Sequence, residues 1–308
     1  MTAMNFLQLN DLIPDKASSV SFLQQRGILP NPRHCTAGHQ MTLDLREKGD
    51  RWRCRSRGCR EEFSLRAGTW LEGSKMSYRQ IILHLYGWCY EYTSVKFSSH
   101  ELNFGKNAII DYNNYCREIC AMSLLANPMV IGGPGKTVEI DESLYVKRKY
   151  NRGRQFREQW VFGGICREDR QSFLYPVEAR DAATLMPTIR DSIRPGTTIF
   201  SDMWAAYNQI QQNGYQHGTV NHSLNFVDPV TGVHTNTIEC HWKHAKQRHK
   251  RHNGTHRSML DSYMCEWMWR QRNKFHPCIF SKLLEDMAFH FPPPHRIYAE
   301  SALQTGSL

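Results

Sequence analysis

Two short apolar segments of this chain each run into an aspartate, and that pairing constrains the fold more than any other feature. TVEIDES carries Asp141 and TTIFSD carries Asp202. Both segments are rich in β-branched residues and read as strands. A carboxylate at the end of a buried strand is costly to desolvate and needs a partner. Either aspartate alone would serve as a cap or turn residue, but two together ask for a shared cation. Carboxylate oxygens are hard ligands suited to Mg²⁺ or Mn²⁺, and two such ions can clamp the attacking and leaving oxygens of a phosphodiester. Glu142, beside Asp141, points to the other face if the strand continues, which makes it a poorer ligand.

The surrounding pattern predicts an α/β domain. KTVEIDESLY, QWVFGGICRE and SFLYPVEAR read as strands, and DAATLMPTIRDSI as a helix with Asp181 as its N-cap. TTIFSD and MWAAYNQIQQN add a further strand and helix, giving the order βββαβα and a mixed sheet with helices packed on it. Residues 221–235 are loop-like. A basic helix then opens near Asn236 in HTNTIECHWKHAKQRHK, and SMLDSYMCEWMWRQRNKF is a second, apolar-faced one. Glu239 falls in the first turn of the basic helix, where the dipole favours negative charge. Lys243, Lys246 and Lys250 follow on its face, with Ile238, Trp242 and Ala245 opposite. A metal ligand at the helix start and a lysine row leading away from it suit a DNA strand passing the site. Taken alone, the same helix would read as a solvated charged one.

The first half reads differently. Residues 1–30 predict one short helix around SVSFLQQRG, and residues 31–74 are rich in Arg, Cys and Gly with too few apolar residues for a core. Cys35 and His39 in HCTAGH, with Cys54 and Cys59 in CRSRGC, form two ligand pairs suited to one structural Zn²⁺, and His34 is the alternative to His39. Free thiols are the alternative to metal. Arg51, Arg53, Arg55, Arg57 and Arg60 surround this ribbon, and a DNA-facing role is expected for them. Residues 75–130 look helical, and VKFSSHELNFGKNAIIDYNNYCREI has the layout of a helix-turn-helix. Lys106, Asn107, Asp111, Asn114 and Arg117 would lie along its second helix, where groove contacts are made. The plainer reading is three packed helices with a solvated face. IGGPGK (131–136) reads as a linker or tight turn, 137–290 as the catalytic domain and 291–308 as a disordered tail.

Charge and cysteine usage agree with this plan. Across 308 residues, 39 Lys and Arg stand against 29 Asp and Glu, a formal charge of +10 that favours a polyanionic partner. The start, MTAMNFLQLNDLIPDK, lacks the basic and apolar regions of a signal peptide, and no stretch approaches eighteen apolar residues, so no membrane is expected. An intracellular setting, nuclear in a eukaryotic host, leaves the ten cysteines as thiols or ligands. KHAKQRHKRH could act as an import signal, though its place on the basic helix favours DNA contact.

EIDES, SDMWAAY, VNHS and HTNTIECHWKHAK, in that order, resemble the Merlin superfamily of DDE transposases and their bacterial insertion-sequence relatives. The resemblance covers about residues 33–275, and the sixty residues between Asp141 and Asp202 and thirty-six between Asp202 and Glu239 suit it. It implies an RNase H-like, integrase-type catalytic domain with Asp141, Asp202 and Glu239 as the catalytic triad, two Mg²⁺ or Mn²⁺ ions, and supporting roles for His222 and Asn236. It also implies cut-and-paste strand cleavage and transfer on double-stranded DNA, terminal inverted repeats and target alike, by a homodimer or larger assembly. The first ribbon pair departs from the family, which would have two cysteines where only Cys35 stands. The alternatives are a transposase-derived protein that binds DNA without cutting it, and a metal-dependent nuclease on the same fold.

Overall fold

The computed structural model describes residues 4–47, 49–146, 158–251 and 257–294, and the chain divides into two units. The first comprises residues up to Ile119 and from His276 onward; the second is Cys120–Phe275. Helix α1 (Phe6–Leu12) and α2 (Lys16–Gln25) stand where one helix was expected. Pro14 lies between them, and Asp15 caps α2 by accepting from the Ser18 amide. Strands β1 (Thr42–Asp44), β2 (Arg51–Arg53) and β3 (Glu62–Ser64) form an antiparallel meander that pairs Trp52 with Phe63.

Helix α3 (Tyr78–Cys89) starts at a reciprocal cap between Ser77 and Gln80 and buries residues around most of its circumference. After α4 (Val95–Glu101), Asn103 takes a left-handed φ of 51° in the turn, and α5 (Lys106–Ala126) follows. The expected helix, turn and longer helix are therefore present. The last residues of α5 belong to the second unit.

In the second unit the chain runs β4 (Ile131–Gly132), β5 (Thr137–Val146), β6 (Gln159–Cys166), β7 (Ser172–Val177), α6 (Ala182–Ser192), β8 (Ile193–Arg194), β9 (Thr198–Asp202), β10 (Gln216–Val220), α7 (Asn236–Arg251) and α8 (Leu260–Arg272). Its sheet has the order β10-β9-β5-β6-β7. Strands β5, β6 and β7 are antiparallel, while β9 and β10 run parallel to β5. Three antiparallel strands, with two parallel ones added beside the first, make the RNase H-like mixed α/β fold. Helix α7 packs on β5 and β6, and α8 on β7. Ile238, Trp242 and Ala245 face the sheet and are buried, as the helical spacing predicts.

Four expectations change. IGGPGK makes the tight turn, with the Lys136 amide donating to the Gly133 carbonyl at 3.1 Å, but it is no linker: Ile131 and Gly132 pair with β8 and the Gly133 amide donates to Thr197 at 2.8 Å within the second unit. The segment 137–290 runs past that unit: α9 (Ile279–His290) groups with the first, where Phe280 stacks on Phe22 and meets Tyr86 edge-on. MWAAYNQIQQN forms two short 3₁₀ turns, Ala205–Gln209 and Gln211–Asn213, because Tyr207 and Ile210, three apart, both turn inward. The polar stretch QHGTV, not expected as a strand, is β10 at the sheet edge. The tail expected from 291 lies outside the described residues from 295 onward. Among the described residues no helix is long and apolar enough to cross a membrane.

Candidate active site

Parallel pairing sets the two aspartates side by side. Glu139 of β5 is level with Phe200 of β9, so continuing the register two residues brings Asp141 beside Asp202. Helix α7 reaches over them, and Trp242 Nε1 donates to Asp141 Oδ2 at 3.0 Å. This approach depends on Gly163, which pairs with Asp141 on β6. A Cβ there would stand 2.7 Å from the Trp242 ring and 2.6 Å from Leu174. Gly163→Ala should therefore push the indole off Asp141 and cost about 1–3 kcal/mol of stability by overpacking. Thermal unfolding and tryptophan emission read it, and an unchanged midpoint with unchanged emission would show that the indole has room.

The carboxyl groups crowd one another. Burial pushes Asp141 up to about 7, and the charges of Glu142 and Asp202 add to the rise. Glu142 is also raised, first by burial and then by Asp202, against the pull of the Tyr207 hydroxyl, which donates to it at 2.5 Å. Glu142 therefore lies within electrostatic reach of Asp202 even though the strand alternates as expected. Two acids held above their usual range beside Asp202 suit a divalent cation, and carboxylate oxygens are the hard donors Mg²⁺ and Mn²⁺ take.

Glu239 stands apart from that crowd. It sits in the first turn of α7 with its side chain about half exposed, 3.7 Å from His222 Nε2. His222 Nε2 in turn bonds to Thr235 Oγ1 at 2.7 Å. Asn236, the first residue of α7, is exposed. Among the described residues, only a cysteine–histidine set brings three or more possible ligand atoms within 4.8 Å of one another. Asp141, Asp202 and Glu239 thus do not close into so tight a group. Lys243 and Lys250 are exposed along α7, whereas Lys246 is half-buried over the Tyr145 ring at 5.7 Å, within the field of Asp141.

Sequence reasoning passed over Glu139. It is fully buried, yet its carboxylate accepts from Arg167 Nε at 2.5 Å and from the Thr237 and Ile238 amides at 2.7 and 2.9 Å. The signal was there in outline: an acid two residues before Asp141, on the same face of an apolar strand.

The cysteine–histidine set is Cys35, His39, Cys54 and Cys59. His39 Nδ1 lies 3.4 Å from Cys35 Sγ and 3.7 Å from Cys54 Sγ, so His39, not His34, completes the cluster. Gly38, at φ 81°, makes the turn that folds His39 back, while His34 bridges to Gln40. Four soft donors at these separations fit one tetrahedral Zn²⁺. The Ser56 amide helps pull Cys54 down to about 7, whereas Cys59, despite the Glu61 amide, ends at about 11 because Cys54 and Cys35 crowd it.

Of the residues expected to face DNA, Arg55, Arg57, Lys106 and Asn107 are exposed. Arg53 is held across the ribbon sheet by Glu62 at 3.1 Å and Asp44 at 3.6 Å. Arg117 departs from expectation. It is 6% exposed and donates to Asn114, turned inward on α5 and unavailable to a groove.

Comparison with known proteins gives a family match over part of the chain. Residues 133–272 match the ISXO2-like transposase domain, a DDE type. A transposase-like protein of Haemophilus influenzae is 29% identical over 92 residues, 30% of this chain and 73% of its own length. Male abnormal protein mab-31 of Caenorhabditis elegans is 25% identical over 215 residues, 62% of this chain, which spans half of that protein. Among solved structures, the HTLV-2 integrase catalytic core in complex with magnesium aligns at 13% identity with a TM-score of 0.28, over 44% of this chain and 84% of its own. The Mos1 strand transfer complex aligns at 11% identity and 0.21, over 68% and 78%. The assignment of the fold rests on the sheet order.

Proposed function

We propose that this chain is a DNA transposase that cuts at transposon ends and joins them to target DNA. The observation that carries the reading is Asp141 beside Asp202 on adjacent parallel strands of an RNase H-like sheet, with Glu239 opening the helix laid across them. Asp141, Asp202 and Glu239 would hold two Mg²⁺ or Mn²⁺ ions. Bound there, such ions polarise a phosphodiester and supply a nucleophile at neutral pH. Trp242 keeps Asp141 oriented, His222 steadies Glu239, and Asn236 sits at the rim. Hydrolysis would free a 3′-hydroxyl, which then attacks a target phosphodiester and displaces its 3′-oxygen.

Lys243, Lys246 and Lys250 would carry the strand away from the site, while Lys106 and Asn107 of α5 and Arg55 and Arg57 of the ribbon meet duplex DNA. Cys35, His39, Cys54 and Cys59 hold a single structural Zn²⁺. Joining two ends calls for a homodimer or larger assembly on DNA, and in a eukaryotic host the protein works in the nucleus.

The test uses labelled duplexes made from the DNA on either side of the gene, incubated with protein and Mn²⁺. Cleaved ends and joined products are both expected. Cleavage without joining favours a nuclease. The similarity to a nematode protein not named as a transposase favours a second reading, a host DNA-binding protein, for which binding without either product is the outcome.

A further inference from the structure

The first four amides of an α-helix have no partner inside it, and a side chain just before the helix usually takes one of them. Helix α7 departs from that habit. Thr235, the residue before it, shares its hydroxyl with His222. The Thr237 and Ile238 amides are taken instead by Glu139, near the start of β5. Glu139 is fully buried, and Arg167 balances its charge at 2.5 Å. Arg167 also donates to the His234 carbonyl at 2.8 Å and lies 4.7 Å over the Phe200 ring of β9. One acid and one arginine thus tie together β5, β9 and the chain entering α7.

The geometry points to Glu139 as the positioning residue that sets where Glu239 stands relative to Asp141. Glu139 and Asp141 are two apart on one strand and share a face. Glu239 lies one residue past the second amide that Glu139 holds. The strand that supplies the first carboxylate therefore also fixes the helix that supplies the last. A buried ion pair with this many partners can serve to fix geometry, since well-packed neutral groups often serve stability as well. The inference rests on the reading of Glu239 as a metal ligand.

The test compares wild type, Glu139→Gln, Glu239→Gln and the double variant in the full chain. Amide hydrogen exchange reads the helix start without metal, and the paramagnetic resonance of free Mn²⁺ reads binding. In Glu139→Gln, exchange at Thr237 and Ile238 should speed up about tenfold or more, from loss of hydrogen bonds to a charged group, while β5 stays protected. Mn²⁺ affinity should fall to the level of Glu239→Gln, and the double variant should bind no more weakly than Glu239→Gln alone. Unchanged exchange at the two amides overturns the inference, as does a double variant whose losses add. If wild type binds no Mn²⁺ while the amides respond as expected, the metal reading fails and the inference falls with it. Glu139→Asp, a shorter acid that keeps the charge, should recover part of the lost affinity.

Discussion

Asp202→Ala removes strand cleavage, by on the order of a thousandfold or more, and leaves binding to DNA ends nearly unchanged. The expected size follows from losing a carboxylate that would hold the metal ions, whose stabilisation of transition-state charge at a thousandfold is worth about 4 kcal/mol. Asp202 lies within electrostatic reach of Asp141, and its charge helps to raise it. Its removal should let Asp141 ionise more easily, yet the remaining acids would no longer hold a metal ion from both strands. Binding survives because the exposed lysines of α7, the start of α5 and the ribbon arginines are untouched. Gel shift and single-turnover cleavage with Mn²⁺ measure the two properties separately. Cleavage within tenfold of wild type would sink the assignment of Asp202, and loss of binding would point to a folding defect.

Cys54→Ser should empty the ribbon of zinc and unfold it. The ribbon's three strands are three residues each, and its buried apolar side chains are few, with Trp52 and Leu65 the main ones. Structural zinc contributes about 10–16 kcal/mol in comparable small modules, far more than such a core supplies. Loss of one ligand of four therefore releases the segment, and chelation of wild type should do the same. Arg55, Arg57 and Arg60 are exposed beside the site, which makes trypsin a direct probe. The variant and the chelated protein should be cut there much faster than the zinc form, while exchange in β5 stays as it was. Metal analysis showing no zinc in wild type, with trypsin resistance unaltered by Cys54→Ser, would falsify the zinc site.

How much of this was legible beforehand depended on how local each cause is. The apolar strands carrying Asp141 and Asp202 could be read because burial and alternation act over a few residues, but β5 runs past Asp141 to Val146 and the order of the strands depends on pairings between distant residues. The cysteine–histidine spacing was equally readable, but choosing His39 over His34 needed the turn at Gly38. Glu139 stayed hidden because its partners lie 28 residues away at Arg167 and almost a hundred away at Thr237. An acid within an apolar strand otherwise looks like a break in the pattern. Arg117 misled for the opposite reason: arginine is usually exposed, and only packing on α5 turns it inward. Strand β10 lacks an apolar signature because it lies at the sheet edge, and α9 has one that fits the first unit as well as the second.

The loop from Asn221 to Thr235 shows what the anchor on β5 allows. Leu224, Phe226 and Val230 are largely exposed, and Asp228 closes a tight turn by accepting from the Val230 and Thr231 amides. That turn belongs to the loop alone. With the start of α7 fastened to Glu139, residues can be inserted or removed around Asp228 without displacing the helix behind them. The interval between the second and third acids is then free to drift in length, while the one from Glu139 to Asp141 is fixed by the strand itself. Aligning distant chains of this kind by counting from Asp202 forward would misplace Glu239, whereas anchoring the count on a paired glutamate and arginine would find it.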